Sequence, residues 1–237
     1  MYNFFAGIGN TTFTMFGSIH IALIVNLVVL AVLMYIYRDK LRDIKHQQTI
    51  RYVLGTILLI NMIIYYLGMY FTGVLSLKNN APIHICFLTN FAISYILFTD
   101  NKKFYSYIYY LTFLGPLPAI IWTNLHYTFD TYVFYQFIIS HHFMLLVSLY
   151  ILLVLNYKVE KKDMLKSISI ILIYLLLINI LNNLMGTNYL MINSLPIEVL
   201  NEYPFLTNIP AIIPLVIAAL CALYIAYVPV YFVNKEK

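Results

Sequence analysis

Long apolar runs separated by short polar breaks occupy almost the whole chain. A run of about 20 apolar residues is long enough to cross the hydrocarbon core of a bilayer as a helix. The pattern predicts seven such segments, at residues 16–37, 52–75, 83–99, 105–122, 133–156, 165–185 and 209–233. The expected fold is therefore an all-α integral membrane protein, in which residues 1–237 form a single domain of seven transmembrane helices.

The basic residues lie in every second break between these segments. Of the 14 Lys and Arg residues, all except Lys78 fall in 38–51, 100–104, 157–166 or the C-terminal tail. Cytoplasmic loops of membrane proteins attract Lys and Arg, so these breaks are expected to face the cytosol. The chain is thus predicted to be a multi-pass protein of the cell membrane, with its N-terminus outside and its C-terminus in the cytoplasm.

The composition agrees with this class of protein. The chain is 62% hydrophobic and 10% charged, whereas soluble domains carry about 25% charged residues. The formal net charge of +5 is not concentrated on one face, so no nucleic-acid partner is expected. The first residues lack a basic n-region, which argues against a cleaved signal peptide. The sequence does not indicate an oligomeric state.

The third predicted segment begins near the motif PIHIC at residues 82–86. Proline suits the first turn of a helix, which would place Cys86 within about one turn of a helix N-terminus on the outer side. That position favours a thiolate and offers free backbone N–H groups to an oxyanion. Cys86 is therefore a candidate nucleophile, with Asn90 on the same stripe of the helix. The alternative is a small buried thiol that only packs.

Two adjacent histidines, His141 and His142, lie deep in the fifth predicted segment. At 1.5 Å per residue they are about 12–14 Å from its outer end. Neighbouring positions of an α-helix point about 100° apart, so only one imidazole can face a given partner squarely, as a candidate base. Adjacent histidines are poorly placed to share a metal, and the chain has no HExxH motif, so neither a metal nor a cofactor is expected.

Other polar residues map to the outer half of the predicted spans. The candidate substrate-binding or supporting residues are His20, His84, Asn90, His142, Asn182, Asn183, Asn188 and Tyr189. Hydrogen bonding between helices explains the amide residues well. Together with Cys86 and His141, the set predicts a cavity that opens to the outer leaflet.

Four short motifs follow one another along the chain: FGSIH at 16–20, PIHIC at 82–86, YQFIISH at 135–141 and NLMGTNYL at 183–190. On these motifs the chain resembles the YwaF family of bacterial integral membrane proteins, which is related to an animal family of transmembrane ether-phospholipid acyltransferases. The resemblance covers nearly the whole chain. It implies a bacterial plasma membrane protein with seven spans and no cofactor. It also implies an acyl-accepting cysteine at Cys86 and a histidine about 55–60 residues later, at His141.

The resemblance implies a membrane-embedded lipid acyltransferase, or a lipid-ester hydrolase, that acts through an acyl-cysteine in the outer half of the bilayer. His141 would take the proton of Cys86, and the thiolate would attack the ester of a membrane phospholipid. A lysolipid would then accept the acyl group. The residues leave an alternative open, an uncoupled transporter or a ligand-binding seven-helix membrane protein without catalysis. Coupling through a carboxylate is not expected, because no acidic residue lies in the core of a predicted span.

Overall fold

The computed structural model describes residues 1–123, 125–195 and 197–235, and its regular elements are helices. The first half contains α1 (Tyr2–Ala6), α2 (Ser18–Ile36), α3 (Arg38–Arg42), α4 (Gln47–Phe71), α5 (Leu77–Asn80), α6 (Ile85–Thr99), α7 (Lys102–Ile108), α8 (Leu111–Leu114) and α9 (Pro116–Ile121). The second half contains α10 (Tyr132–Ile138), a π-helix (Ile139–Phe143), α11 (Met144–Leu153), α12 (Asp163–Met185), α13 (Ile197–Glu202) and α14 (Ile212–Lys235), with 3-10 turns at Tyr189–Met191 and Pro204–Asn208. The last tail residues, Glu236 and Lys237, lie outside the described residues.

Among the described residues, six helical segments are long and apolar enough to cross a membrane. They are Ser18–Ile36, Gln47–Phe71, Lys102–Ile121, Tyr132–Leu153, Asp163–Met185 and Ile212–Lys235. Each overlaps a predicted span, so six of the seven predictions are confirmed at this level. The largest shift is in the second span, which begins five residues and ends four residues earlier than predicted. There the chain leaves the helix at Gly73, whose φ of +72° lies in the left-handed region that favours glycine.

The third predicted span corresponds to α6, which has only 15 residues. At 1.5 Å per residue it is about 22 Å long, against about 30 Å for a hydrocarbon core. Its first turn begins later than expected, because His84 is the N-cap and has an extended backbone. Pro82 therefore precedes the helix, and its placement in the first turn was wrong. The crossing of the membrane by this segment stays a prediction.

The helix that runs through Tyr132–Leu153 is the centre of the bundle. Its apolar window is 72% buried, whereas the windows of α2 and α12 are only 11% buried and present mainly apolar side chains outward. Hydroxyl groups in the core donate to helix backbones: Tyr105 to the Ser148 carbonyl at 2.6 Å and Tyr109 to the Ala226 carbonyl at 2.9 Å. Such hydrogen bonds hold helices together where no water can satisfy polar groups.

The fourth span is a broken helix made of α7, α8 and α9. Pro116 and Pro118 lack the N–H groups that a continuous helix would use. At the break, a Cβ added to Gly115 would lie 3.0 Å from the Ile85 Cβ and 3.2 Å from the Cys86 backbone nitrogen. A proline motif of this kind is compatible with a cavity-lining break or with a simple kink. At the break, Gly115, which has no side chain, packs directly against the start of α6.

The N-terminal segment packs against the loop that precedes α10. Thr12 and Tyr127 form an isolated antiparallel bridge, and Asp130 accepts hydrogen bonds from the Thr11 hydroxyl at 2.7 Å and from the backbone N–H groups of Asn10 and Thr11. These hydrogen bonds, the Thr11 side chain first, hold the pKa of Asp130 below its ordinary value. These contacts hold the N-terminal segment against one end of the helix bundle.

The opposite end carries most of the basic residues. Arg51 forms an ion pair with Asp100 at 3.0 Å, and Tyr157 donates a hydrogen bond to the same carboxylate. Arg42 donates to the Leu153 carbonyl at 2.6 Å. These contacts join the ends of α4, α6 and α11 with charged side chains that suit a membrane surface.

We expect this basic end to face the cytosol, because Lys and Arg are retained on that side. A fluorescent protein fused after Lys237 is expected to fluoresce, since it folds in the cytosol. Alkaline phosphatase at the same position is expected to be inactive, since it needs the oxidising exterior to form its disulfides. Active phosphatase with a dark fluorescent fusion would reverse the predicted orientation.

Candidate active site

Cys86 lies at the second residue of α6, as expected from the sequence, and its side chain is half-buried. The carbonyl of the N-cap residue His84 accepts from the N–H groups of Phe87 at 3.0 Å and Leu88 at 3.2 Å. Within the described residues, the N–H groups of Ile85 and Cys86 donate to no backbone carbonyl. The thiol is therefore accompanied by two backbone donors of the kind that can stabilise an oxyanion.

Asn90 connects the turn that carries Cys86 to the histidine segment. Its Nδ2 donates to the Cys86 carbonyl at 2.7 Å and to the Ser140 carbonyl at 3.0 Å. The side chain is fully buried, and its Oδ1 has no partner among the described residues. Asn90, predicted as a supporting residue, thus joins the turn of α6 that bears the thiol to the residue that precedes His141.

The histidines lie in a π-helix, which the sequence analysis did not foresee. Between α10 and α11 the chain forms Ile139–Phe143, and the Met144 N–H donates back five residues to the Ile139 carbonyl. The predicted angle of 100° between the two imidazoles assumed a regular α-helix and does not apply here. Single π-turns inside α-helices are frequent at functional sites.

His141 has the hydrogen bonding of a base. Its Nδ1 lies 2.8 Å from the Phe137 carbonyl, and its ring stacks on the Phe137 ring with centroids 4.3 Å apart. A carbonyl can only accept, so the proton of the neutral ring is on Nδ1. The Nε2 lone pair is left available, since no described residue donates to it. The ring is held in one orientation with its basic nitrogen free.

His142 is a buried imidazole without hydrogen bonds. Neither of its ring nitrogens has a partner among the described residues, and the side chain is only 6% exposed. An unsatisfied buried polar group costs about 1–3 kcal/mol. The edge of the Phe137 ring packs against it, at a centroid distance of 6.0 Å. His142 is thus a second free imidazole beside the candidate base, and its supporting role stays a prediction.

A polar cluster that the sequence analysis missed holds the π-helix in place. The Ser140 hydroxyl accepts from Asn61 Nδ2 at 3.1 Å and from Gln136 Nε2 at 2.8 Å, and Tyr132 donates to Asn61 Oδ1 at 3.1 Å. Each of these residues is polar within an apolar run, which is the one signal the sequence offers. It does not reveal which helices the side chains join.

His20 lies in a structural position. Its Nδ1 accepts from the Phe16 N–H at 2.9 Å, and its Nε2 donates to the Ile120 carbonyl at 2.6 Å. Phe16 has a φ of 57°, which a bulky residue rarely adopts, and the hydrogen bond from its N–H helps to hold it. Both ring nitrogens of His20 are therefore used to fix the connection between the N-terminal segment and α9.

His84 lines a small cavity next to the start of α6. The cavity has a volume of about 200 Å³ and is lined by Lys78, His84, Asn188 and Tyr189. The Tyr189 ring packs edge-on against His84 at 5.4 Å, and its hydroxyl accepts from the Ala81 N–H at 3.0 Å. Two of the predicted supporting residues, together with His84, are thus brought together beside the turn that carries Cys86.

The predicted amide residues of the sixth span organise the loop that follows it. Asn182 Oδ1 accepts from the Thr187 hydroxyl and the Tyr189 N–H, both at 2.8 Å, and its Nδ2 donates to the Tyr189 carbonyl. Asn188 bonds in the same way to Asn193 and Ser194. Asn183 is exposed. Asn182 and Asn188 thus use their side-chain amides in loop hydrogen bonds, and their supporting role at the site stays a prediction.

Among residues 1–123, 125–195 and 197–235, no group of three or more His, Cys, Asp or Glu side chains is placed to hold a metal ion.

Comparison with protein families shows that a model of the TMEM164 family matches residues 15–228. The match includes Cys86, Asn90 and the π-helix. No curated protein and no solved structure matches the chain.

Proposed function

The chain belongs to the TMEM164 family, and from this premise we propose that it is a membrane-embedded lipid acyltransferase that forms an acyl-thioester on Cys86. The observation that carries the proposal is the double hydrogen bond of Asn90. It connects the turn that carries the thiol, where two backbone N–H groups have no carbonyl partner, to a segment whose histidine has a free basic nitrogen. The kinship with YwaF proteins and with ether-phospholipid acyltransferases stays a prediction from the sequence motifs.

In the first half-reaction His141 Nε2 takes the proton of the Cys86 thiol. The sulfur attacks the carbonyl carbon of a phospholipid ester, and the oxyanion accepts from the N–H groups of Ile85 and Cys86. The carbon–oxygen bond to the glycerol then breaks. The departing oxygen takes the proton from His141, so a neutral lysolipid leaves and the acyl group remains on sulfur.

In the second half-reaction a hydroxyl group of a lysolipid attacks the thioester. His141 removes the hydroxyl proton, the new ester forms, and the carbon–sulfur bond breaks. The thiolate regains the proton from His141, which restores both residues. If water replaces the lysolipid, the same steps release a fatty acid, so acyl transfer and ester hydrolysis differ only in the acceptor.

The proposal is tested with the full chain in nanodiscs that contain a phospholipid with a radiolabelled acyl chain. We expect label on the protein that neutral hydroxylamine removes, because hydroxylamine cleaves thioesters. Unlabelled lysolipid added afterwards is expected to collect the label as new phospholipid. Label recovered only as free fatty acid would assign hydrolysis instead of transfer. A protein that acquires no label would refute both.

A further inference from the structure

A second cavity, of about 220 Å³, lies between α6, the broken fourth span and α12, and its lining is almost wholly apolar. Leu88 and Ala92 form the wall on α6, Ile108 forms the wall on α7, and Ile171 and Tyr174 form the wall on α12. We call this cavity the apolar groove. It belongs to the interior of the spans, where the surrounding medium is lipid.

The apolar groove begins beside the turn of α6 that carries Cys86. One end of the groove is lined by Ile85, the residue before Cys86, and by Thr89, three residues after it. The Thr89 hydroxyl donates to the Cys86 carbonyl at 3.1 Å. Tyr174 closes the same end, because its hydroxyl donates to the Ile83 carbonyl. The groove therefore begins within one turn of the residue that carries the thiol.

The apolar groove is also open sideways to lipid. Leu88 on one rim is 40% exposed and Ile170 on the other is 38% exposed. Helix α12, which supplies the outer wall, has only 11% of its apolar window buried. A lipid chain can therefore enter between α6 and α12 without crossing the packed centre of the bundle.

We propose that the apolar groove holds the acyl chain of the donor lipid and of the Cys86 thioester, with the methyl end directed past Ala92. The inference rests on the proposed function and adds the place of the chain. Lipid tails are as apolar as the groove lining, so the hydrophobic effect does not favour an acyl chain in the groove over one in the bilayer. The groove acts by shape and close contact, and it aligns the ester with the thiol.

Because the groove has a limited depth, the test compares acyl chains of different lengths. Ala92 is six residues beyond Cys86, about 9 Å along the helix. A phenyl ring in Ala92→Phe should obstruct a palmitoyl chain and leave room for a hexanoyl chain. With phospholipids that carry one or the other labelled chain, we expect the ratio of palmitoyl to hexanoyl acylation of Cys86 to fall about tenfold or more. Ala22→Phe, the same change at an exposed position of α2, is expected to keep the wild-type ratio.

A second variant covers the case in which Ala92→Phe does not fold. Ile171→Trp narrows the groove from α12, which is loosely packed and can accept the larger ring, and it is expected to lower the same ratio. If both variants form the acyl adduct with the wild-type ratio, the groove proposal is overturned while the proposed function stands. If the wild-type protein forms no adduct with either lipid, the proposed function fails instead.

Discussion

Cys86→Ala is expected to abolish the hydroxylamine-sensitive acyl adduct completely, because alanine removes the sulfur to which the acyl group is bound. Cys221→Ala is the matched control, since Cys221 is the other cysteine of the chain and is exposed on α14. It is expected to label like the wild-type protein. The measurement is the radioactivity retained by the protein before and after hydroxylamine.

Cys86→Ser makes the test more specific. A hydroxyl group is a weaker nucleophile than a thiol, so we expect labelling to be much slower. Any adduct that forms would be an oxygen ester, which resists neutral hydroxylamine. An adduct that persists in Cys86→Ala, or one that stays hydroxylamine-sensitive in Cys86→Ser, would place the acyl group on another residue.

His141→Ala is expected to lower the rate of Cys86 acylation by about 10²- to 10⁴-fold, the usual contribution of a positioned base. The measurement is the initial rate of labelling in nanodiscs. His141 is the candidate because its Nδ1 is engaged with the Phe137 carbonyl and its Nε2 is free.

His142→Ala separates this role from a general effect of losing a buried ring. His142 has no hydrogen bond to lose among the described residues, so the variant is expected to label within about tenfold of the wild-type rate. If His142→Ala loses activity as strongly as expected for His141→Ala, while His141→Ala labels normally, the base is His142. Equal and small losses in both variants would remove the imidazole from the mechanism.

The sequence was sufficient for six of the seven spans because bilayer thickness imposes a length and an apolar character on each of them. It was less accurate at helix ends, which depend on the local backbone conformation. Pro82 illustrates this, since the chain remains extended through His84 before α6 begins. Hydropathy is similar for the apolar residues before and after His84, so it does not indicate where the helix begins.

The candidate site was predictable in its residue types and not in its geometry. The π-turn at Ile139–Phe143 is supported by hydrogen bonds from Asn61 and Asn90, which lie on two other helices. A single sequence does not contain those pairings. The same limit applies to Asn182, whose amide is bonded by the loop through Thr187 and Tyr189 once that loop folds back onto α12. His20 likewise acquires the Ile120 carbonyl as a partner only when α9 is packed beside α2.

The short length of α6 has a consequence for the lipid environment. Cys86 is 14 residues from Asp100, which corresponds to about 21 Å along the helix. In a hydrocarbon core of about 30 Å, a thiol at that height lies roughly 9 Å below the layer of ester carbonyls when Asp100 is at the opposite boundary. Hydrophobic mismatch of this kind is relieved when the bilayer thins around a short helix. For a lipid acyltransferase, membrane thickness would then become part of substrate selection, because thin membranes bring every ester closer to the sulfur.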